Sequence, residues 1–153
     1  MLEARKTSVW RRRYDILVDG RTVATWDGSP WKNGGAFELQ GRRYEVSGNA
    51  LGSRFRMTDA YGMSVASADR VGRKRWTVEA GGQTYHFQRA SPWSNEQVLF
   101  AGDGRVGSVR RTSFWRGEVT AELPGLPLPV QIFVLGVVIT MWDAQASAAA
   151  AAS

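Results

Sequence analysis

The chain contains no cysteine, which excludes disulfides, thiolate nucleophiles, thiolate metal sites and palmitoylation. It has a single histidine, His86, so a multi-histidine metal centre is excluded as well. The aspartates Asp15, Asp19, Asp27, Asp59, Asp69 and Asp103 fall mostly beside turn residues, where a carboxylate supports local hydrogen bonding, and no pair has the context of an acid/base couple. The N-terminal stretch Met1-Leu2-Glu3-Ala4-Arg5-Lys6 has no apolar core of the secretory kind, so a cytoplasmic protein, peripheral at a membrane, is expected. Lysine is scarce too: only Lys6, Lys32 and Lys74 among 20 basic residues. These absences leave a non-enzymatic protein without cofactor or metal as the expectation.

Long apolar runs are also scarce, and the one present organises the reading of the rest. Val130 to Trp142 carries polar side chains only at Gln131 and Thr140, which a helix places on opposite sides, so it has no polar face. A helix that is apolar all round must be surrounded by protein or by lipid. Thirteen residues rise only about 20 Å as a helix, short of the roughly 30 Å of a bilayer core. Burial inside the protein is therefore expected, with a hydrophobic anchor over residues 126–142 as the alternative.

The remainder of the 153 residues reads as one all-β domain with no dividing linker. The alternation in Tyr14, Ile16 and Val18 against Arg11, Arg13 and Asp15 predicts a long first strand from Thr7 to Val18. Arg12 shares the parity of the inward residues, so that strand must start later or contain a bulge. Asp19-Gly20, Gln40-Gly41, Gly81-Gly82 and Asp103-Gly104 are hairpin turns. Phe55 and Met57 are expected inside, and the strand after Asp59-Ala60-Tyr61-Gly62 returns through Val65. Trp76, Val78, Tyr85 and Phe87 face inward, which puts His86 on the outer face.

Two Ser-Pro-Trp loops, at 29–31 and 91–93, lie 62 residues apart, and the flanking strand, turn, strand order repeats around them. The count is ten to twelve strands. A closed sheet removes the exposed edges of so many short strands, and a barrel of about twelve has an interior wide enough for one apolar helix. The expected fold is thus a closed antiparallel β-barrel of about 12 strands enclosing a C-terminal helix at about 129–143. Domain bounds are 1–143, with 144–153 as a low-complexity alanine-rich tail.

The meander from about Tyr14 to Leu123 and the ending Leu126 to Asp143 together resemble the Tubby C-terminal-like superfamily, which includes LURP-one-related proteins and phospholipid scramblases. The resemblance implies a twelve-strand barrel threaded by a hydrophobic helix, and binding of phospholipid at membranes through surface lysine and arginine. An acidic calcium-binding segment of the scramblase kind is not found, and no phosphoinositide-contacting position is matched residue by residue.

Two motifs invite catalytic readings that their surroundings oppose. Gly102-Asp103-Gly104-Arg105-Val106-Gly107 fits G-x-G-x-x-G, but the β-forming Ser108 to Trp115 follows where a pyrophosphate-binding helix should begin. Gly62-Met63-Ser64-Val65-Ala66 loosely resembles a nucleophile elbow, yet the serine opens a returning strand and lacks a base.

The net charge of +6 and the basic clusters are the positive signal. Arg11, Arg13, Arg42, Arg43, Arg73, Lys74, Arg75, Arg110 and Arg111 recur near strand ends, beside Trp10, Trp76 and Trp115. Cations interleaved with tryptophan suit an anionic membrane surface. The expected function is recognition of anionic phospholipid head groups or another anionic partner. A structural or protein-interaction barrel is the alternative, a small membrane protein anchored by residues 126–142 is a further one, and nucleic acid is not the expected partner. In the central helix, Ile132, Phe133, Leu135, Val138, Ile139 and Trp142 are expected to fill the barrel, with Gly136 marking close approach to its wall.

Overall fold

The computed structural model describes residues 1–8, 12–30, 32–113 and 117–152. Twelve strands precede one helix: β1 (Leu2–Lys6), β2 (Arg13–Val18), β3 (Arg21–Gly28), β4 (Gly34–Leu39), β5 (Arg42–Gly48) and β6 (Arg54–Thr58) form the first half. The second half is β7 (Ser64–Asp69), β8 (Arg75–Ala80), β9 (Gln83–Arg89), β10 (Gln97–Ala101), β11 (Gly104–Ser113) and β12 (Glu118–Glu122), followed by α1 (Leu128–Ala151). Each strand pairs antiparallel with its sequence neighbours, and β12 closes on β1, so the sheet is a closed barrel without edges.

The hairpins form where the turn chemistry dictates. Asp19-Gly20 and Gly81-Gly82 both take positive φ at their two central residues, as a two-residue turn matched to strand twist requires. They lie 62 residues apart, and so do the starts of β1 and β7, of β2 and β8, of β3 and β9, and of β5 and β11. The repeated layout is therefore present at the level of strands. It does not extend to side-chain facing, because a bulge between Ile16 and Leu17 shifts β3 by one residue. Ala24 consequently points into the barrel, whereas its counterpart His86 is exposed.

Two sequence expectations are corrected. The strand expected from Thr7 to Val18 begins only at Arg13, as β2, and an additional strand, β1, precedes it at Leu2–Lys6. Leu-Glu-Ala-Arg-Lys has little β propensity, and it becomes a strand because pairing with both β2 and β12 completes the closure. Arg12 thus precedes β2, and its parity conflict disappears. On β7 the inward residues are Ala66 and Ala68 rather than Val65, because the register slips between Met57 and Thr58.

The barrel interior is filled by α1. Ile132, Phe133, Leu135, Val137 and Val138 are fully buried, as are the wall residues Trp26, Phe37, Met57, Trp76 and Phe87 to within 3%. The two polar residues of the run are satisfied locally. Gln131 donates from Nε2 to the Leu126 carbonyl at 2.8 Å, and the Thr140 hydroxyl donates to the Gly136 carbonyl at 2.7 Å. A second buried polar pair lies in the wall, where the Trp76 indole N–H donates to Gln97 Oε1 at 2.8 Å. Among the described residues no buried side-chain nitrogen or oxygen lacks a partner.

The helix is longer than the expected 129–143. It continues to Ala151, so most of the alanine-rich segment expected as a separate tail is its last two turns, which are exposed. Alanine is the strongest helix former, which extends α1 beyond the barrel without packing. At 24 residues the helix is long and apolar enough to cross a membrane by length and composition. In this fold Val130 and Ile132 to Trp142 are enclosed by the barrel and present no face to lipid.

Candidate functional site

An up-and-down barrel sorts its connections between two ends, because successive turns alternate. The proximal end, where α1 begins, carries the turns at 19–20, 40–41, 59–62, 81–82 and 102–103. The distal end, where α1 emerges, carries the connections β1/β2, β3/β4, β5/β6, β7/β8, β9/β10 and β11/β12.

Charge divides between these ends. The distal connections and the strand ends beside them hold Lys6, Arg12 and Arg13, then Lys32, Arg54, Arg70, Arg73, Lys74, Arg75, Arg89, Arg110 and Arg111. Against them stand Asp27, Asp69, Glu96, Glu118 and Asp143. The proximal end holds Asp19, Glu38, Asp59, Glu79, Asp103 and Glu122 around Arg21, Arg42, Arg43, Arg105 and the N-terminal amine, which pairs with Asp19. Of the residues predicted from sequence as an anion-binding set, Arg13, Arg73, Lys74, Arg75, Arg110 and Arg111 therefore share one end. Arg42 and Arg43 lie at the other, with Arg43 3.6 Å from Glu45, and drop out of the group. Arg11, Trp10 and Trp115 lie outside the described residues.

Part of the distal charge is already paired. Arg13 binds Asp27 through Nε at 2.9 Å and Nη2 at 3.3 Å, and this hydrogen bond holds its guanidinium pKa above the usual value. Arg54 meets Asp69 at 3.3 Å. Arg105 reaches along the outer wall to Glu96. It starts from the position opposite Phe100 on β10.

The distal mouth is closed by the last buried turn of α1. Trp142 is 3% exposed, donates its indole N–H to the Asn95 carbonyl at 3.1 Å, and carries the Arg111 guanidinium 4.8 Å from its ring centroid. Ser94, Asn95, Glu96, Arg110, Arg111, Thr112 and Trp142 line a groove of about 440 Å³ there. Asp143 follows at the rim. Burial pushes its carboxyl above the usual range, while Arg12, Lys6 and Arg111 pull the other way. The Tyr14 phenol is pushed up to about 12, mainly by burial and then by Asp143.

Two further shallow grooves lie on the outer wall. One, of about 510 Å³, is lined by Ser47, Arg54, Arg56, Ser67, Asp69, Thr77 and Glu79. The other, of about 460 Å³, holds His86 with Arg70, Arg75, Gln88 and Phe100. Beside His86 in that groove are Thr77, opposite it on β8, and Asp103 on the β10/β11 turn, and Gly102-Asp103-Gly104 forms a hairpin rather than a phosphate-binding loop. Among the described residues no group of three or more potential metal ligands occurs.

Sequence reading missed Lys6, Lys32, Arg54, Arg70 and Arg89 as members of the distal set, and the exposed Leu51 and Trp93 beside them, and it set Arg12 apart for its parity. Counting turns would have found them, since alternate connections of a meander share an end. Comparison with family models, with curated proteins and with solved structures finds no match to the chain.

Proposed function

We propose that this protein is a non-enzymatic binding module that docks by the distal end of its barrel on anionic phospholipid head groups, at a cytoplasmic membrane surface. The observation that carries this reading is the excess of cations at the end from which α1 emerges, whereas carboxylates are shared about evenly between the two ends. Such a distribution orients the molecule in the field of an anionic surface, which attracts each nearby basic residue by about 1 kcal/mol. Membership of the Tubby C-terminal-like superfamily is part of the same proposal. It rests on the sequence resemblance and on a fold of the kind that resemblance implies.

Flotation with vesicles of phosphatidylcholine, with and without phosphatidylserine, at physiological salt tests it. The protein should float with the anionic vesicles only. Arg73→Glu with Arg75→Glu should weaken binding by roughly a hundredfold or more, whereas Arg42→Glu with Arg43→Glu should leave it intact. Equal absence of binding to both vesicle types would overturn the proposal.

The paired state of Arg13, Arg54 and Arg105 favours a second reading, a structural or protein-interaction barrel whose arginines solvate and brace its wall. Under that reading proximal and distal charge reversals are equivalent and neither affects vesicles.

A further inference from the structure

We infer that the distal end penetrates the bilayer interface through two apolar loop tips, Leu51 on the β5/β6 connection and Trp93 on the β9/β10 connection. This rests on the membrane reading above and adds a depth and an orientation to it.

Both side chains are almost wholly exposed, 90% for Leu51 and 96% for Trp93, so neither contributes to the fold's packing. Neither sits on a slack loop. Asn49 Oδ1 accepts the backbone N–H groups of Ser53 and Arg54 at 2.9 and 3.2 Å. Asn33 Nδ2 donates to the Asn49 carbonyl at 2.9 Å, so the tip bearing Leu51 is tied to the next connection around the rim. Around Trp93, Ser94 N–H bonds the Ser91 carbonyl at 3.2 Å, Glu96 N–H bonds Ser94 Oγ at 3.1 Å, and Ala90 N–H bonds the Glu96 carbonyl at 2.9 Å. Two braced frames thus hold apolar groups out in water, where exposure has no local return.

The tips lie four strands apart in a barrel of twelve, about a third of the way around the rim from one another. Each is flanked by cations: Lys32 and Arg54 near Leu51, Arg110 and Arg111 in the groove next to Trp93. An apolar tip set among cations suits the boundary between acyl chains and anionic head groups, where indole rings concentrate. The proximal end also exposes apolar groups, Tyr61 and Met63 on one hairpin. They stand beside Asp59 at the end of the molecule that lacks the excess of cations. Charge therefore selects the distal pair for lipid.

The absence of native cysteine allows a clean test in the full chain. Leu51→Cys, Trp93→Cys and, as a proximal control, Tyr61→Cys each take a single environment-sensitive NBD label. On addition of phosphatidylserine-containing vesicles, emission at positions 51 and 93 should shift to the blue and rise several-fold, with position 61 unchanged. Leu51→Ser with Trp93→Ser should weaken vesicle binding about tenfold without lowering the melting temperature, since both residues are exposed. Vesicle flotation without a spectral change at 51 and 93 would overturn insertion and leave surface docking standing. A shift at 61 instead would overturn the orientation, and absence of flotation would overturn both this inference and the function on which it rests.

Discussion

The Trp26 ring lies directly against Gly136, so close that a Cβ built on the glycine would come under 3 Å from three ring atoms. The same indole touches Gly35 on β4, which leaves it wedged between two glycines and 1% exposed. Gly136→Ala should therefore destabilise the barrel. Overpacking costs about 1–3 kcal/mol, while alanine's helix propensity returns up to about 1 kcal/mol. In a Trp26→Phe background the smaller ring frees the site, and the same substitution should become neutral or stabilising. Urea unfolding of the four proteins gives the coupling directly.

Leu135 has no exposed surface and faces the barrel wall from the middle of α1. Leu135→Asp would bury a carboxylate with no cation in reach, at several kcal/mol in a domain whose whole stability is about 5–15 kcal/mol. The variant should be insoluble or unfolded by circular dichroism. Ala148→Asp, on the exposed part of the same helix, should express and melt as the wild type does. A chain ending at Gly125 should aggregate, because Trp26, Phe37, Trp76 and Phe87 would line an empty barrel.

Gln97 is 3% exposed and holds the indole N–H of Trp76 on one side and the Asn95 carbonyl, at 3.0 Å from Nε2, on the other. Gln97→Leu should cost about 1–3 kcal/mol by leaving that donor buried without a partner. Adding Trp76→Phe removes the orphaned N–H and should recover part of the loss beyond the expected cost of the smaller ring. The comparison is of urea midpoints at constant m value.

Much of this architecture is legible in the sequence. The apolar run Val130 to Trp142 demanded an enclosure, and Asp19-Gly20, Gln40-Gly41 and Gly81-Gly82 announced the hairpins that build one. What was illegible has physical reasons. β1 consists of poor strand formers whose pairing is settled only by closure between β2 and β12. Single-residue bulges such as that at Ile16 and Leu17 reverse the facing of everything after them, so alternation misjudged Val65. Gln97 looked like an ordinary polar strand start, because the indole that holds it lies 21 residues away. The grouping of Arg13, Arg73 and Arg110 without Arg42 follows from which end each connection occupies, a property of topology rather than of local composition.

Asp143 supplies a prediction about pH. Burial raises its carboxyl above the ordinary 3.8, against the opposing pull of Arg12, Lys6 and Arg111. The folded barrel thus binds this proton more tightly than the unfolded chain does, so the residue's contribution is most favourable below about pH 3.8 and is lost as pH rises through the folded value. At neutral pH its charge opposes folding. Asp143→Asn, uncharged throughout, should melt at a higher temperature than wild type at pH 7, and the difference should close as the pH is lowered towards 3.8 and below. Because Asp143 also contributes to holding the Tyr14 phenol up near 12, the same variant should lower the pH at which that phenol ionises, read from phenolate absorbance against a Tyr14→Phe reference. A variant that melts lower than wild type at pH 7 would show that the cations at the distal mouth, rather than burial, dominate the energetics of Asp143.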